Sequence, residues 1–183
     1  MRSDRRRFLQ LATTTGLAFF LPFQQIFAQH DSSRGMVMHA ADHETWLIGP
    51  RRAPVTIALD KKRKGVEGIC LCWEDMEAGS GIPVHKHLNE DELIYLPYGE
   101  GRFVLGDEEH SMKAGSVAYV PRGTWHGLRN TGKEELRMIF SFTPSGFENY
   151  FREIGYLKGT TPLDLEKVDW KGIDEKYGIV YRK

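Results

Sequence analysis

From about Val55 to Thr143 the sequence is a succession of short apolar runs cut apart by turn residues. VEGICLCWED, DELIYLPYG, GRFVLGD, SVAYVP and LRMIFSFT are rich in Val, Ile, Leu, Tyr and Phe, and clusters such as DKKRKG, EAGSG, GDEEH and PRGT lie between them. Short strands at this spacing build an antiparallel sandwich or barrel. No segment of helical period separates them, which argues against a parallel α/β sheet. Leu136, Met138, Phe140 and Phe142 alternate with Arg137, Ile139, Ser141 and Thr143, so the first set shares one face, the expected barrel interior. The fold class is therefore read as all-β.

After Pro144 the pattern changes. GFENYFREIG and PLDLEKVDWKGIDEKYGI read as helices, with Pro162 near a start and Gly172 or Gly178 near a stop. No linker-like composition sets them off, so they are expected to flank the barrel within one domain. The expected division is a barrel over about 55–145 and a helical C-terminal extension over 146–183, together a single domain spanning 29–183. The basic run Lys61 to Lys64, between Asp60 and Gly65, reads as a solvated hairpin tip.

The first 28 residues read as an export signal rather than as part of the fold. Arg2, Arg5, Arg6 and Arg7 precede a mildly apolar run from Phe8 to Phe23, followed by polar residues and Ala28, the expected cleavage position. The run is too short and too polar for a comfortable membrane span, which takes about 20 apolar residues. Arg5, Arg6, Phe8, Leu9 and Gln10 resemble the twin-arginine export pattern, which implies a protein folded in the cytoplasm before it crosses into the periplasm or beyond. With no cysteine near the cut, no stable membrane anchor is expected after cleavage. The whole chain carries 25 basic and 25 acidic side chains; removing four basic groups and one acidic group with the signal leaves 21 against 24. A mildly acidic domain is not a nucleic-acid binder, which would carry a basic excess.

The chemistry concentrates in two stretches. In GSGIPVHKHLNEDELIYLPYG, His85 and His87 are two apart, so on an extended strand both imidazoles point the same way. LNED is turn-like, and a tight return would bring the Glu92 carboxylate back over them. In GSVAYVPRGTWHGLRN, His126 follows Pro121 and Gly123 at the start of another strand and would complete a three-histidine, one-carboxylate set. An isolated His-x-His more often marks a polar turn; the second stretch turns the balance towards metal ligands of intermediate hardness.

Taken together the two stretches resemble the motifs of the cupin superfamily. Gly79, His85, His87, Glu92 and Gly99 occupy every specified position of its first motif, and Gly115, Pro121, Gly123, His126 and Asn130 those of its second. With each residue type at ~5%, such a coincidence has a probability on the order of 10⁻¹³ per starting point. The resemblance, over roughly 55–145, implies a jelly-roll β-barrel holding one divalent metal, with His85, His87, Glu92 and His126 as ligands. It leaves the metal open among Fe, Mn, Cu, Ni and Zn, and folding before export would let the cytoplasm choose it. Asn130 is read as structural. The tail is similar to small single-domain, quercetin-dioxygenase-like cupins.

This resemblance implies a dioxygenase-type oxidoreductase acting on a small organic molecule, with Glu92 as both ligand and catalytic base. The alternatives are an oxalate-type carboxylate-degrading enzyme and a non-catalytic protein that binds a metal or small ligand. A homodimer is expected from the same resemblance. Cys70 and Cys72, two apart on a strand, are read as small buried residues that do not bond to each other. Trp73 and Trp125 are read as packing residues, Trp125 with a second option at the pocket mouth. Glu90 and Asp91 flank the site; His30, His39, His43 and His110 have no ligand-like context.

Overall fold

The computed structural model describes residues 35–183. The export signal read over residues 1–28 lies outside them. In chain order the strands are β1 (Glu44–Ile48), β2 (Ala53–Leu59), β3 (Leu71–Met76), β4 (Gly81–His87), β5 (Asp91–Tyr98) and β6 (Glu100–Leu105). They continue with β7 (Glu108–Lys113), β8 (Val117–Val120), β9 (His126–Asn130), β10 (Leu136–Thr143), β11 (Gly155–Leu157) and β12 (Ile179–Tyr181). The α-helices are α1 (Lys61–Lys64), α2 (Glu148–Glu153) and α3 (Trp170–Tyr177).

One sheet runs β11-β1-β2-β3-β10-β5-β8 and the other β12-β4-β9-β6-β7, and every pairing is antiparallel. The all-β expectation holds. The pleat sends alternate residues to opposite faces, and Leu136, Met138, Phe140 and Phe142 are all buried, as are Ile94 and Leu96. Each large apolar side chain removed from water in this way contributes about 1.5–3 kcal/mol. Ser141 breaks the alternation: it is buried on the other face, where its hydroxyl donates to the Cys70 carbonyl at 2.6 Å. Cys70 and Cys72 are both buried free thiols.

The structure corrects four of the readings. The barrel begins before residue 55, because β1 and the first residues of β2 belong to the larger sheet. Over 146–183 the helices are short and alternate with strands: β11 extends the larger sheet beside β1, and β12 extends the smaller one beside β4. Near Pro162 the chain forms only a short 3₁₀ turn, Leu165–Lys167, rather than a full helix. Helix α3 starts after Asp169, whose carboxylate accepts from Gly172 N, so Gly172 lies in a first turn and Gly178, at φ 65°, is the stop. Lys61–Lys64 forms one helical turn, capped by the Asp60 side chain and ended by Gly65.

Helix α2 is tied to the sheet by a buried charge cluster. Arg152 donates to Glu44 Oε2 at 2.8 Å and to Asp60 Oδ2 at 2.5 Å, with Asp60 wholly buried. Asp60 also accepts from Arg63 N at 3.2 Å. Arg152 thereby fixes α2, and with it Tyr150 and Phe151, against the start of β1 and the end of β2.

Candidate metal centre

His85 and His87 lie on the inner face of β4, and His126 stands directly opposite His85 on β9, so the smaller sheet supplies all three imidazoles. Glu92 comes from β5 in the larger sheet. The two do not form the tight hairpin that the sequence reading expected: β4 and β5 are unpaired, and residues 88–90 carry the chain from one sheet to the other. The carboxylate therefore meets the imidazoles across the barrel interior. One donor atom from each of His85, His87, Glu92 and His126 lies within 4.8 Å of the others, and all four residues are buried.

The motif glycines set this geometry. Gly123, at φ +80°, ends the turn before His126 and donates its N–H to the His87 carbonyl at 2.6 Å, which ties the two motifs together. Gly99, at φ +86°, turns the chain against β10, where a Cβ would meet Leu136 Cα at 2.5 Å. Asn130 is structural as read: its amide donates to the Met76 and Glu134 carbonyls, and its side-chain oxygen accepts from Gly132 N.

The donor set suits a cation. His85 Nδ1 lies 2.8 Å from the Pro83 carbonyl and His126 Nδ1 lies 3.0 Å from that of Thr124. A carbonyl only accepts, so each Nδ1 carries the hydrogen and each Nε2 turns a lone pair to the cluster. His85 Nε2 then stands 3.2 Å from His87 Nε2. Glu92 Oε2 lies 2.8 Å from His126 Nε2, yet among the described residues neither atom has an aligned hydrogen-bond partner. Buried atoms this close without partners are costly unless something joins them. A first-row divalent ion binds such atoms at about 2.0–2.2 Å and holds neighbouring ligands roughly 3 Å apart; the residues fit it.

Electrostatics point the same way. Burial and the neighbouring His126 push the His85 pKa down to about 3, partly offset by the Pro83 carbonyl, and burial holds His87 well below its usual value. Burial alone would lower His126 too, but the adjacent Glu92 carboxylate raises it. His87 lacks a carbonyl partner at Nδ1. Its ring is held instead edge-on against Phe142 and Phe147, at centroid distances of 4.9 and 4.2 Å.

The cluster lines a cavity of about 320 Å³ whose walls include Ile82, Ile94, Phe103, Phe140 and Phe151. Sequence reasoning missed five polar groups there: Arg51, Glu74, Tyr150, Asp174 and Tyr181. Glu74 left a signal, since it shares inward parity with Cys72 and Met76; Tyr181 reaches the cavity only because β12 pairs with β4, which no local pattern announces. Of the flanking acids, Asp91 pairs with Arg122 and Glu90 is buried without lining the cavity. Trp125 is not at the cavity wall; the Lys86 ammonium and the Arg182 guanidinium each lie over its ring, at 4.7 and 5.0 Å from the centroid.

Glu74 is 5% exposed, and burial raises its pKa from 4.5 to about 7, against the lowering effect of Arg51 and with a small rise from Asp75. Between those values the folded protein holds a proton that the unfolded chain has lost. Stability attributable to this group is therefore present below pH ~4.5 and lost as pH rises to ~7, by about 3 kcal/mol. Urea denaturation should show Glu74→Gln gaining that much over the wild type on going from pH 4.5 to pH 8; a constant difference at the two pH values would refute it.

Comparison with known proteins agrees with this geometry. Residues 72–142 match the family model of the cupin domain. Over 61 residues the chain is 36% identical to an oxalate-binding protein of Thermotoga maritima, an alignment covering 33% of this chain and 50% of that protein. A germin-like protein of Morus alba is 33% identical over 98 residues, 50% of this chain and 47% of that one. The chain thus spans about half the length of the curated relatives it matches. Among solved structures, KdgF from a Halomonas species superposes with a TM-score of 0.54 at 18% identity, covering 63% of this chain and 99% of that one. A predicted oxalate decarboxylase from Thermotoga maritima gives 0.51 at 25% identity, covering 60% and 99%.

Proposed function

We propose that this chain, whose residues 72–142 are a cupin domain, is an exported, mononuclear metal-dependent oxidoreductase of the dioxygenase type acting on a small organic substrate. The observation that carries this reading is the convergence of four buried donor atoms, with the Nδ1 hydrogens of His85 and His126 tied to carbonyls so that Nε2 is left to bind. A divalent ion held by His85, His87, Glu92 and His126 would supply Lewis-acid and, if redox-active, electron-transfer chemistry at a substrate oxygen. Glu92 Oε2, without an aligned partner, is placed to take a proton from a substrate hydroxyl arriving there. Phe142 and Phe147 exclude water behind His87.

A second reading, an enzyme or binder of small dicarboxylates, is favoured by the names of the Thermotoga maritima relatives. The cavity favours a flat, largely apolar molecule over a dianion. Arg51 is the one lysine or arginine on its described lining, and Glu74 adds negative charge. Metal analysis followed by oxygen-uptake assays with catechol, flavonol and oxalate tests the choice. Uptake with a catechol or flavonol supports the leading reading, and turnover of oxalate alone replaces it with the second. A full metal complement with no turnover makes the protein a non-catalytic binder.

Export and self-association complete the proposal. Replacing Arg5 and Arg6 together by lysine is expected to leave the protein in the cytoplasm on cell fractionation; an unchanged distribution would sink the twin-arginine route. A homodimer is supported by Leu93, Tyr95, Val117 and Tyr119, cross-strand neighbours on β5 and edge strand β8 that are between 40% and 62% exposed. Sedimentation of the folded chain reads it directly.

A further inference from the structure

Three acidic side chains line the cavity, and two are accounted for: Glu92 belongs to the cluster, and Asp174 accepts from the Tyr150 hydroxyl at 2.9 Å. Glu74 is the third. Among the described residues nothing donates a hydrogen bond to its carboxylate, and no cation lies within ion-pairing distance. It points inward from β3 with Cys72 and Met76, and its cross-strand neighbours are Val55 and Met138. Only 5% of it is exposed, and that part opens on the cavity.

A partnerless carboxyl in an apolar wall works against folding, and an apolar residue of similar size would pack there at lower cost. Its position, however, is well suited to a ligand. Strand β10 lies between β3 and β5; Glu74 pairs with Met138 on one side of it and Glu92 with Phe142 on the other. Met138 and Phe142 are four residues apart and β3 and β5 flank β10 on opposite sides, so the backbones of the two glutamates stand roughly 16 Å apart, a gap that their inward side chains shorten. Met138, Phe140 and Phe142 form the apolar floor between them. A two-ring molecule bound to a metal at one end and hydrogen-bonded at the other spans such a gap.

We propose that Glu74 is the far anchor of the substrate, accepting a hydrogen bond from a hydroxyl or amine at the end of an elongated, flat molecule whose other end sits at the His85–His87–Glu92–His126 cluster. This rests on the metal reading above and narrows the substrate class to rod-like oxygen chelators with a distal donor. Glu74 touches the substrate away from the reacting atoms, so it selects among substrates and takes no part in the chemistry.

The test uses zinc-loaded protein under nitrogen, which denies a dioxygenase its co-substrate, and two probes that differ by one distal hydroxyl: biphenyl-3,4,4′-triol and biphenyl-3,4-diol. Calorimetry should show the wild type binding the triol roughly tenfold more tightly than the diol, the value of a hydrogen bond to a charged group. Glu74→Leu should abolish that preference by weakening the triol alone, and Glu74→Gln, which keeps an acceptor oxygen, should retain part of it. Equal binding of the two probes by the wild type, failure of the triol to bind, or a preference that survives Glu74→Leu would overturn the assignment. Zinc content is measured on the same samples, so a protein that takes up no zinc refutes the metal reading separately from the Glu74 result.

Discussion

Replacing His85 or His126 by alanine is expected to reduce bound metal from about one ion per chain to a trace after dialysis. Both residues present Nε2 to the cluster with Nδ1 held against a backbone carbonyl, at 2.8 and 3.0 Å. Each loss removes a pre-oriented ligand and leaves the remaining donors buried in a site they cannot complete. Because burial keeps His85 neutral down to about pH 3, an arriving ion displaces no proton from it, and uptake at neutral pH costs nothing at this ligand. Binding to the folded state alone also stabilises it: at 100 times Kd a ligand adds about 2.7 kcal/mol. Divalent metal should therefore raise the thermal midpoint of the wild type and leave that of either variant unmoved. Unchanged metal content in both variants would show that the ligands lie elsewhere.

Arg152→Ala is the substitution expected to damage the fold most. Its guanidinium lies between Glu44 and Asp60, and Asp60 has no exposed surface. Truncation leaves both carboxylates, one of them fully buried, with only the more distant Arg63 Nε, at 3.4 and 3.5 Å, in place of the close Arg152 contacts. Breaking a buried pair from one side costs about 3–5 kcal/mol, which for a domain of this size lowers the thermal midpoint by roughly 10 °C. Urea denaturation reads the first quantity and calorimetry the second. A loss below about 1 kcal/mol would mean the cluster is hydrated and screened like a surface pair. Tyr150 and Phe151, on the helix that Arg152 anchors, line the cavity, so the same variant should loosen the wall near the cluster.

The cluster of His85, His87, Glu92 and His126 was legible because its information is local. His85 and His87 share a face by strand parity, and the spacing of glycines and proline in the two motifs marks the turns that deliver Glu92 and His126. The interior face of β10 was legible for the same reason. Glu74 shows the limit of parity: the alternation Cys72, Glu74, Met76 points it inward, but whether an inward carboxyl finds a partner depends on what β2, β10 and the β1–β2 turn bring to it. The C-terminal region reads as helical because the strand alternation ends at Pro144 and Pro162, Gly172 and Gly178 supply helix start and stop signals. The strands β11 and β12 are three residues each, and only pairing with β1 and β4 makes them strands at all.

The sequence by itself determined that the chain would form a β-barrel and which four side chains would converge in it, since both depend on the period of the strand and on turn chemistry a few residues away. Tertiary structure alone decided that Glu92 reaches the imidazoles across the barrel from the opposite sheet, and that Glu74, without a partner among the described residues, shares their cavity. Only the tertiary structure joins Arg152 to residues 108 and 92 positions away in the chain, holding the helix whose Tyr150 and Phe151 line that cavity. The physical reason is the same in each case. Hydrogen-bonded ladders and buried charges pair groups by position in space, and neither leaves a periodic trace in the order of residues along the chain.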